Sequence, residues 1–82
     1  MLLAHLVPRT PAIVDAVEDR APNDPVARRL RELGFVPGEE VRILAAGPLG
    51  REPLLVQVGF TRFALRRAEA ARVRLRDGAH RP

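Results

Sequence analysis

The sequence predicts a mainly β domain, a small barrel of about five short strands with one α-helix inserted after the first strand. Three observations predict it. Several stretches after residue 40 alternate apolar and polar residues with the period of two expected of strands facing a core on one side. One earlier stretch carries an apolar stripe of helical period with end signals on both sides. At 82 residues the chain makes one domain with a thin core, and closing short strands into a barrel hides their unpaired edges.

The elements follow in order. Met1–Thr10 is a lead-in of alternating apolar residues, closed by Pro8 and Pro11. Its apolar run is far short of the ~20 residues of a membrane span and lacks a basic leader, so neither a span nor a signal peptide is expected. Ala12–Glu18 is rich in β-branched residues and reads as a first strand. Asp19–Asn23, with Pro22, is a loop. Asp24 can cap a helix and Pro25 suits its first position. Val26, Leu30 and Leu33 recur at i, i+4 and i+7, one helical face. Gly34 can adopt the left-handed conformation that ends the helix.

Phe35-Val36-Pro37-Gly38 then turns the chain into a second strand around Val41–Leu44. Ala46–Pro53, with two glycines and two prolines, reads as a loop. Leu54, Val56 and Val58 share one face of a third strand, with Leu55 and Gln57 on the other. Gly59-Phe60-Thr61 is a tight connection. Thr61, Phe63 and Leu65 alternate with Arg62, Ala64 and Arg66 in a fourth strand. Arg67–Ala71 is one helical turn, and Val73 and Leu75 belong to a last strand. The whole chain, 1–82, is expected to be one domain with a core at about 12–75 and a frayed tail at 77–82.

Composition removes several functions. Cysteine is absent, which excludes disulfides and thiolate metal sites and fits a cytoplasmic protein. There is no serine, lysine or tyrosine, and Thr10 and Thr61 are the only hydroxyl side chains. No nucleophile–base pair is in view, so an enzyme is not expected. Gly47 and Gly50 frame Pro48-Leu49 with no Lys-Ser/Thr behind them, which is not a phosphate loop. A ferrous site needs about six convergent oxygen or nitrogen ligands. Here His5 and His80 stand near opposite ends, and Asp15 and Glu18 should point to opposite faces if both lie in the first strand. No metal site and no cofactor are therefore expected.

All fourteen basic residues are arginine, and the formal net charge is +4. Arg62, Arg66, Arg72, Arg74 and Arg76 alternate along the last two strands. They would form one basic face if those strands were neighbours. Solvated exterior positions of a barrel explain them as well. Nucleic-acid binding usually adds aromatic stacking, and of the three phenylalanines Phe63 is needed inside.

The motifs resemble a known family. Arg29-Leu30-Arg31-Glu32-Leu33-Gly34-Phe35-Val36-Pro37-Gly38 followed by Val41-Arg42-Ile43 resembles the pattern RL-x-x-LG-x-x-PG-x-x-V-x-V of ferrous iron transport protein A, FeoA. Ala46-Gly47-Pro48-Leu49-Gly50 with Pro53 resembles its aPlGdP loop, although Gly50-Arg51-Glu52-Pro53 is one residue longer. Gly59, then Phe63-Ala64-Leu65-Arg66, Glu69-Ala70 and Val73, resembles its closing G-x-x-iaLR-x-x-eA-x-x-I. Arg9-Thr10 stands where the family commonly has a glycine. The resemblance covers most of Ala12–Leu75 and rests structurally on Leu30, Leu33, Gly34, Pro37, Gly38, Gly59, Phe63, Leu65 and Ala70.

The resemblance implies an SH3-like barrel, a cytoplasmic accessory protein of bacterial ferrous iron uptake, and a partner in the cytosolic portion of a FeoB-type permease. Any membrane link would come through that partner, and weak homo-oligomers stay open. The alternative is a small basic barrel binding nucleic acid, because Gly38-Glu39-Glu40-Val41-Arg42-Ile43 and Gly47 resemble the opening of KOW barrels. The Leu65-Arg66…Glu69-Ala70 ending favours FeoA. The expected docking face is the Gly47–Pro53 loop with nearby arginines: Pro48, Leu49, Gly50, Arg51, Arg62 and Arg66. Leu49 would serve as apolar anchor, or else fold back on the barrel, and the arginines would form a charged rim.

Overall fold

The computed structural model describes residues 1–76; the tail expected at 77–82, with His80, lies outside the described residues. A 3-10 turn at Leu3–His5 precedes β1 (Ala12–Val17), α1 (Pro25–Leu33), β2 (Glu40–Leu49), β3 (Glu52–Val58), β4 (Thr61–Leu65), α2 (Arg67–Ala70) and β5 (Val73–Leu75).

The strands form one antiparallel sheet in the order β4-β3-β2-β1-β5. β1 changes partner along its length. Ala12 and Ile13 pair with Val41 and Glu40 of β2, whereas Val14, Ala16 and Val17 pair with β5. An irregularity between Val14 and Ala16 marks the corner, and bulges are the usual device for bending a sheet there. The bend lets all five strands surround one core containing Val14, Val41, Ile43, Leu54, Val56, Leu65 and Val73.

The alternation read from the sequence is visible in β3: Leu54, Val56 and Val58 are buried, Leu55 is exposed and Gln57 half-buried. In β4, Leu65 is buried, Phe63 half-buried and Thr61 exposed. The half-buried ring of Phe63 leans on the buried ring of Phe35, centroids 6.1 Å apart and planes tilted by 47°. Such tilted pairs are favoured over face-to-face stacking.

α1 has the predicted ends. The Asp24 carboxylate accepts from the Val26 and Ala27 backbone N–H groups, and Gly34 sits at φ 117 in the left-handed region. The buried stripe differs from the expected one: Ala27 and Leu30 are buried, while Val26 and Leu33 are half-buried. Each residue advances a helix by about 100°, so Val26 and Leu33 lie together on one flank of the Ala27–Leu30 direction. The small Ala27 side chain lets the helix settle on the core.

Two expectations are corrected. The core does not begin at Ala12, because Leu3, Ala4 and Leu6 are buried in it. The lead-in also covers the outer edge of β5, through a bridge between Leu2 and Arg74 and a bond from the Leu75 N–H to the Met1 carbonyl. Second, Ala46–Pro53 is not an open loop. β2 runs to Leu49 and β3 starts at Glu52, so Gly50 and Arg51 alone form the turn, at φ 63 and φ 61. Two successive left-handed residues suit a two-residue hairpin. The Glu52–Pro53 peptide is cis. A Cβ on Gly47 would lie 2.0 Å from the Glu52 carbonyl oxygen, so only glycine fits where the two strands approach.

Arg9, where the resembling family commonly has glycine, has φ 69. The residue type departs from the family, and it stands in the left-handed region that favours glycine.

Candidate functional site

The described surface carries three kinds of polar feature, and two of them are structural. The first is the linkage at the head of α1. Asp24 is only 5% exposed, and its carboxylate receives Arg72 Nε at 2.7 Å and the Arg20 backbone N–H at 2.9 Å. The Arg72 guanidinium, helped by these backbone donors, holds the Asp24 carboxyl far below the usual carboxylate range. Arg72 also donates to the Ala68 carbonyl. It clips α1, α2 and the start of β5 together and is not a surface charge awaiting a ligand.

The second is the acidic group before the helix. Asp15 and Glu18 do not point to opposite faces as expected. Glu18 lies beyond the end of β1, and both carboxylates accept from Arg74, Asp15 with its Oδ2 2.8 Å from Nε. The pair raises the pKa of Arg74 and holds it firmly cationic. Asp19 accepts from Arg31 Nη2 at 2.7 Å, and the same nitrogen donates to the Val17 carbonyl. Among the described residues no group of three or more acidic or histidine side chains could hold a metal ion.

These pairings, together with the strand order, remove the single basic face. β4 and β5 are opposite edges of the sheet, so Arg62 and Arg66 are not strand neighbours of Arg72, Arg74 and Arg76. Arg72 and Arg74 are also neutralised by partners.

The third feature is the β4 side. A groove of about 310 Å³ runs between α1 and β4, walled by Val26, Leu30 and Leu33 on the helix and Phe63, Ala64 and Leu65 on the strand. Arg29 and Arg62 also line it. The half-buried flank of the helical stripe is thus one wall of this groove.

The residues expected to dock a partner divide along β4. Leu54 pairs with Leu65, which sets Arg66 beside the β2–β3 turn, where Pro48, Gly50 and Arg51 are exposed. The Leu49 side chain lies outside the described atoms, although its backbone pairs with Glu52. Arg62 pairs with Gln57, four residues along the strand from Arg66, and faces the groove. The structural motif residues occupy the core and its turns. Leu30, Leu65 and Ala70 are buried and Leu33 and Phe63 half-buried. Gly34, Gly38 and Gly59 have positive φ, and Pro37 is exposed in the turn.

Two features escaped the sequence reading. Phe60 stands fully exposed at the β3–β4 turn, 105% by comparison with a free residue. Arg67 ties three parts of the chain: its N–H donates to Glu52 Oε2 at 2.7 Å and its guanidinium to the Ala4 carbonyl at 3.2 Å. A motif scan has no signal for contacts between residues so far apart in sequence.

Comparison with family models matches residues 1–77 to the FeoA domain. The chain belongs to the FeoA family. Stenotrophomonas maltophilia FeoA, solved in complex with zinc, is 61% identical and superposes with a TM-score of 0.89, covering 96% of this chain and 93% of that one. It is described as a procaryotic SH3 domain protein and put forward as a ferrous iron transport activating factor. The fold of the present chain is accordingly SH3-like. FeoA from Chlorobium tepidum is 31% identical, with a TM-score of 0.78 over 92% of this chain and 68% of that one. Iron(II) transport protein A from Clostridium thermocellum is 33% identical, with a TM-score of 0.79 over 92% of this chain and 44% of that one. Curated proteins give no match. The KOW-like alternative gains no support from these matches. No helix among the described residues is long and apolar enough to cross a membrane.

Proposed function

We propose that this FeoA-family chain is a cytoplasmic accessory protein of bacterial ferrous iron uptake, acting through protein–protein contact with the cytosolic portion of a FeoB-type permease. The family match over residues 1–77, with a 61% identical relative put forward as an iron transport activating factor, is the observation that carries this reading. The chemistry of the surface supports it. The carboxylates of Asp24, Asp15, Glu18 and Asp19 are engaged by arginines of the same chain, whereas the exposed hairpin end at Pro48, Gly50 and Arg51 and the neighbouring Arg66 offer a contact surface. A domain with this thin a core regulates by docking more readily than by enclosing a substrate.

The test is uptake of labelled ferrous iron by cells lacking the gene, with and without its restoration. Loss of uptake on deletion, recovered by the restored gene, is expected. Uptake that does not depend on the gene contradicts the reading.

A further inference from the structure

We propose that the outer edge of β4, with the groove beside it, binds an extended acidic segment of a partner protein as an added strand. This surface deepens, and rests on, the accessory role proposed above.

The backbone supplies the first observation. The turn between β3 and β4 has two residues, and Val58 and Thr61 flank it as partners. In such a hairpin the flanking pair exchanges hydrogen bonds, and every second pair does so after it. Thr61, Phe63 and Leu65 therefore direct their N–H and carbonyl groups toward β3, and Arg62 and Ala64 direct theirs outward. Those outward groups have no hydrogen-bond partner among the described residues. The opposite edge of the sheet is treated differently: the lead-in covers β5 through Leu2 and Met1. An unpaired edge is a template for another strand.

The second observation is the groove. An added strand would lie where Val26 and Leu33 are only half-buried, beside Phe63 and Ala64 and among the polar groups of Arg29, Arg62 and Glu69. Apolar side chains at alternate positions of the incoming segment would fill it, in the manner of strand-addition domains.

The third observation selects the occupant. Arg29 and Arg62 line the groove with no ion-pair partner among the described residues, and Arg66 continues the charge past the end of the strand. Glu69, the one carboxylate of the lining, already accepts from the Arg66 N–H at 2.7 Å. A second copy pairing through β4 would set the arginines of one strand against those of the other. Like charges placed opposite each other in a sheet are destabilising. An acidic segment is matched in charge, and this decides between the two.

The probe is an acetylated, amidated hexapeptide alternating glutamate and valine, titrated into the isotope-labelled chain and followed by backbone amide NMR. Saturable shifts at Arg62 and Ala64 are expected, with slowed exchange of both amides and weakening as salt rises. A peptide with lysine replacing glutamate should not bind. Arg62→Glu should weaken binding by roughly tenfold or more. Ala64→Pro removes an outward N–H without touching the β3 ladder, a substitution edge strands tolerate, and should abolish binding.

The proposal is overturned if the glutamate peptide gives no saturable shifts, if shifts centre away from β4, or if the lysine peptide binds equally. Shifts at Arg62 and Ala64 that follow protein concentration without peptide would assign the edge to a second copy and also overturn it. If Ala64→Pro does not fold, Arg62→Glu and the lysine peptide decide. Failure here while the permease still co-purifies places the permease contact elsewhere. Peptide binding without permease binding leaves the edge site standing and removes the accessory reading.

Discussion

Arg72, at the entry to β5, reaches Asp24 at the head of α1, with 2.7 Å between Nε and Oδ2. The same carboxylate caps the helix, so one side chain both starts α1 and fastens it to the far end of the chain. Asp24→Asn keeps a capping oxygen but loses the charge that holds Arg72. The variant should melt at a lower temperature than wild type at neutral pH.

The gap should depend on pH in a definite direction. The folded Asp24 carboxyl titrates far below its ordinary value of 3.8, chiefly because of Arg72. Its stabilising contribution is fully present above about pH 4 and is lost as pH falls through that value toward the lower folded one. Melts across pH 3 to 7, in roughly unit steps, should show the wild-type advantage shrinking only at the acid end. An advantage that shrinks between pH 5 and 7 would point to another group.

Leu30 is 2% exposed and, with Ala27, fastens α1 to the core. Leu30→Ala should cost about 2–5 kcal/mol in urea unfolding, a large share of the stability of a small domain. A cost below about 1 kcal/mol would mean that the helix is not held by this contact.

Two glycines of the β2–β3 hairpin should respond differently to alanine. At Gly47 the new Cβ would collide with the Glu52 carbonyl oxygen at 2.0 Å, so backbone must move. A loss of about 3 kcal/mol is expected, the upper end for overpacking. At Gly50 the new Cβ meets nothing within 4 Å, and only the φ of 63 is unfavourable. There the loss should be about 1 kcal/mol. Equal losses in denaturant melts would contradict the close strand approach at Gly47.

At the hairpin end, Arg51 and Arg66 are exposed. Replacing both with glutamate should leave the melting temperature unchanged and weaken the permease complex by about tenfold, measured by titration calorimetry. Unchanged affinity would remove this end of the molecule from the contact.

Much of the fold was legible because its signals are local. Asp24-Pro25 and Gly34 mark the helix ends, and alternation marks β3, β4 and β5. The Ala46–Pro53 reading failed because glycine and proline are ordinary loop punctuation. Here Gly47 permits a close strand approach and Pro53 lies within β3. The burial of the lead-in is not legible in the sequence because Leu3 and Leu6 sit around a single 3-10 turn, too short for either periodicity to register. Whether the arginines share one face was not legible, because alternation fixes the side of a strand on which a residue lies, not which strands are neighbours. Of the residues expected to dock a partner, Arg62 and Arg66 separate along β4 once the register with β3 is known, a relationship that no local pattern carries.

The most direct test of the accessory role is retention of the full chain by the immobilised cytosolic portion of a FeoB-type permease. Saturable, one-to-one retention of wild type, weakened by raised salt, is the predicted result. Retention no greater than on the blank support, under conditions where both proteins are folded, would contradict it.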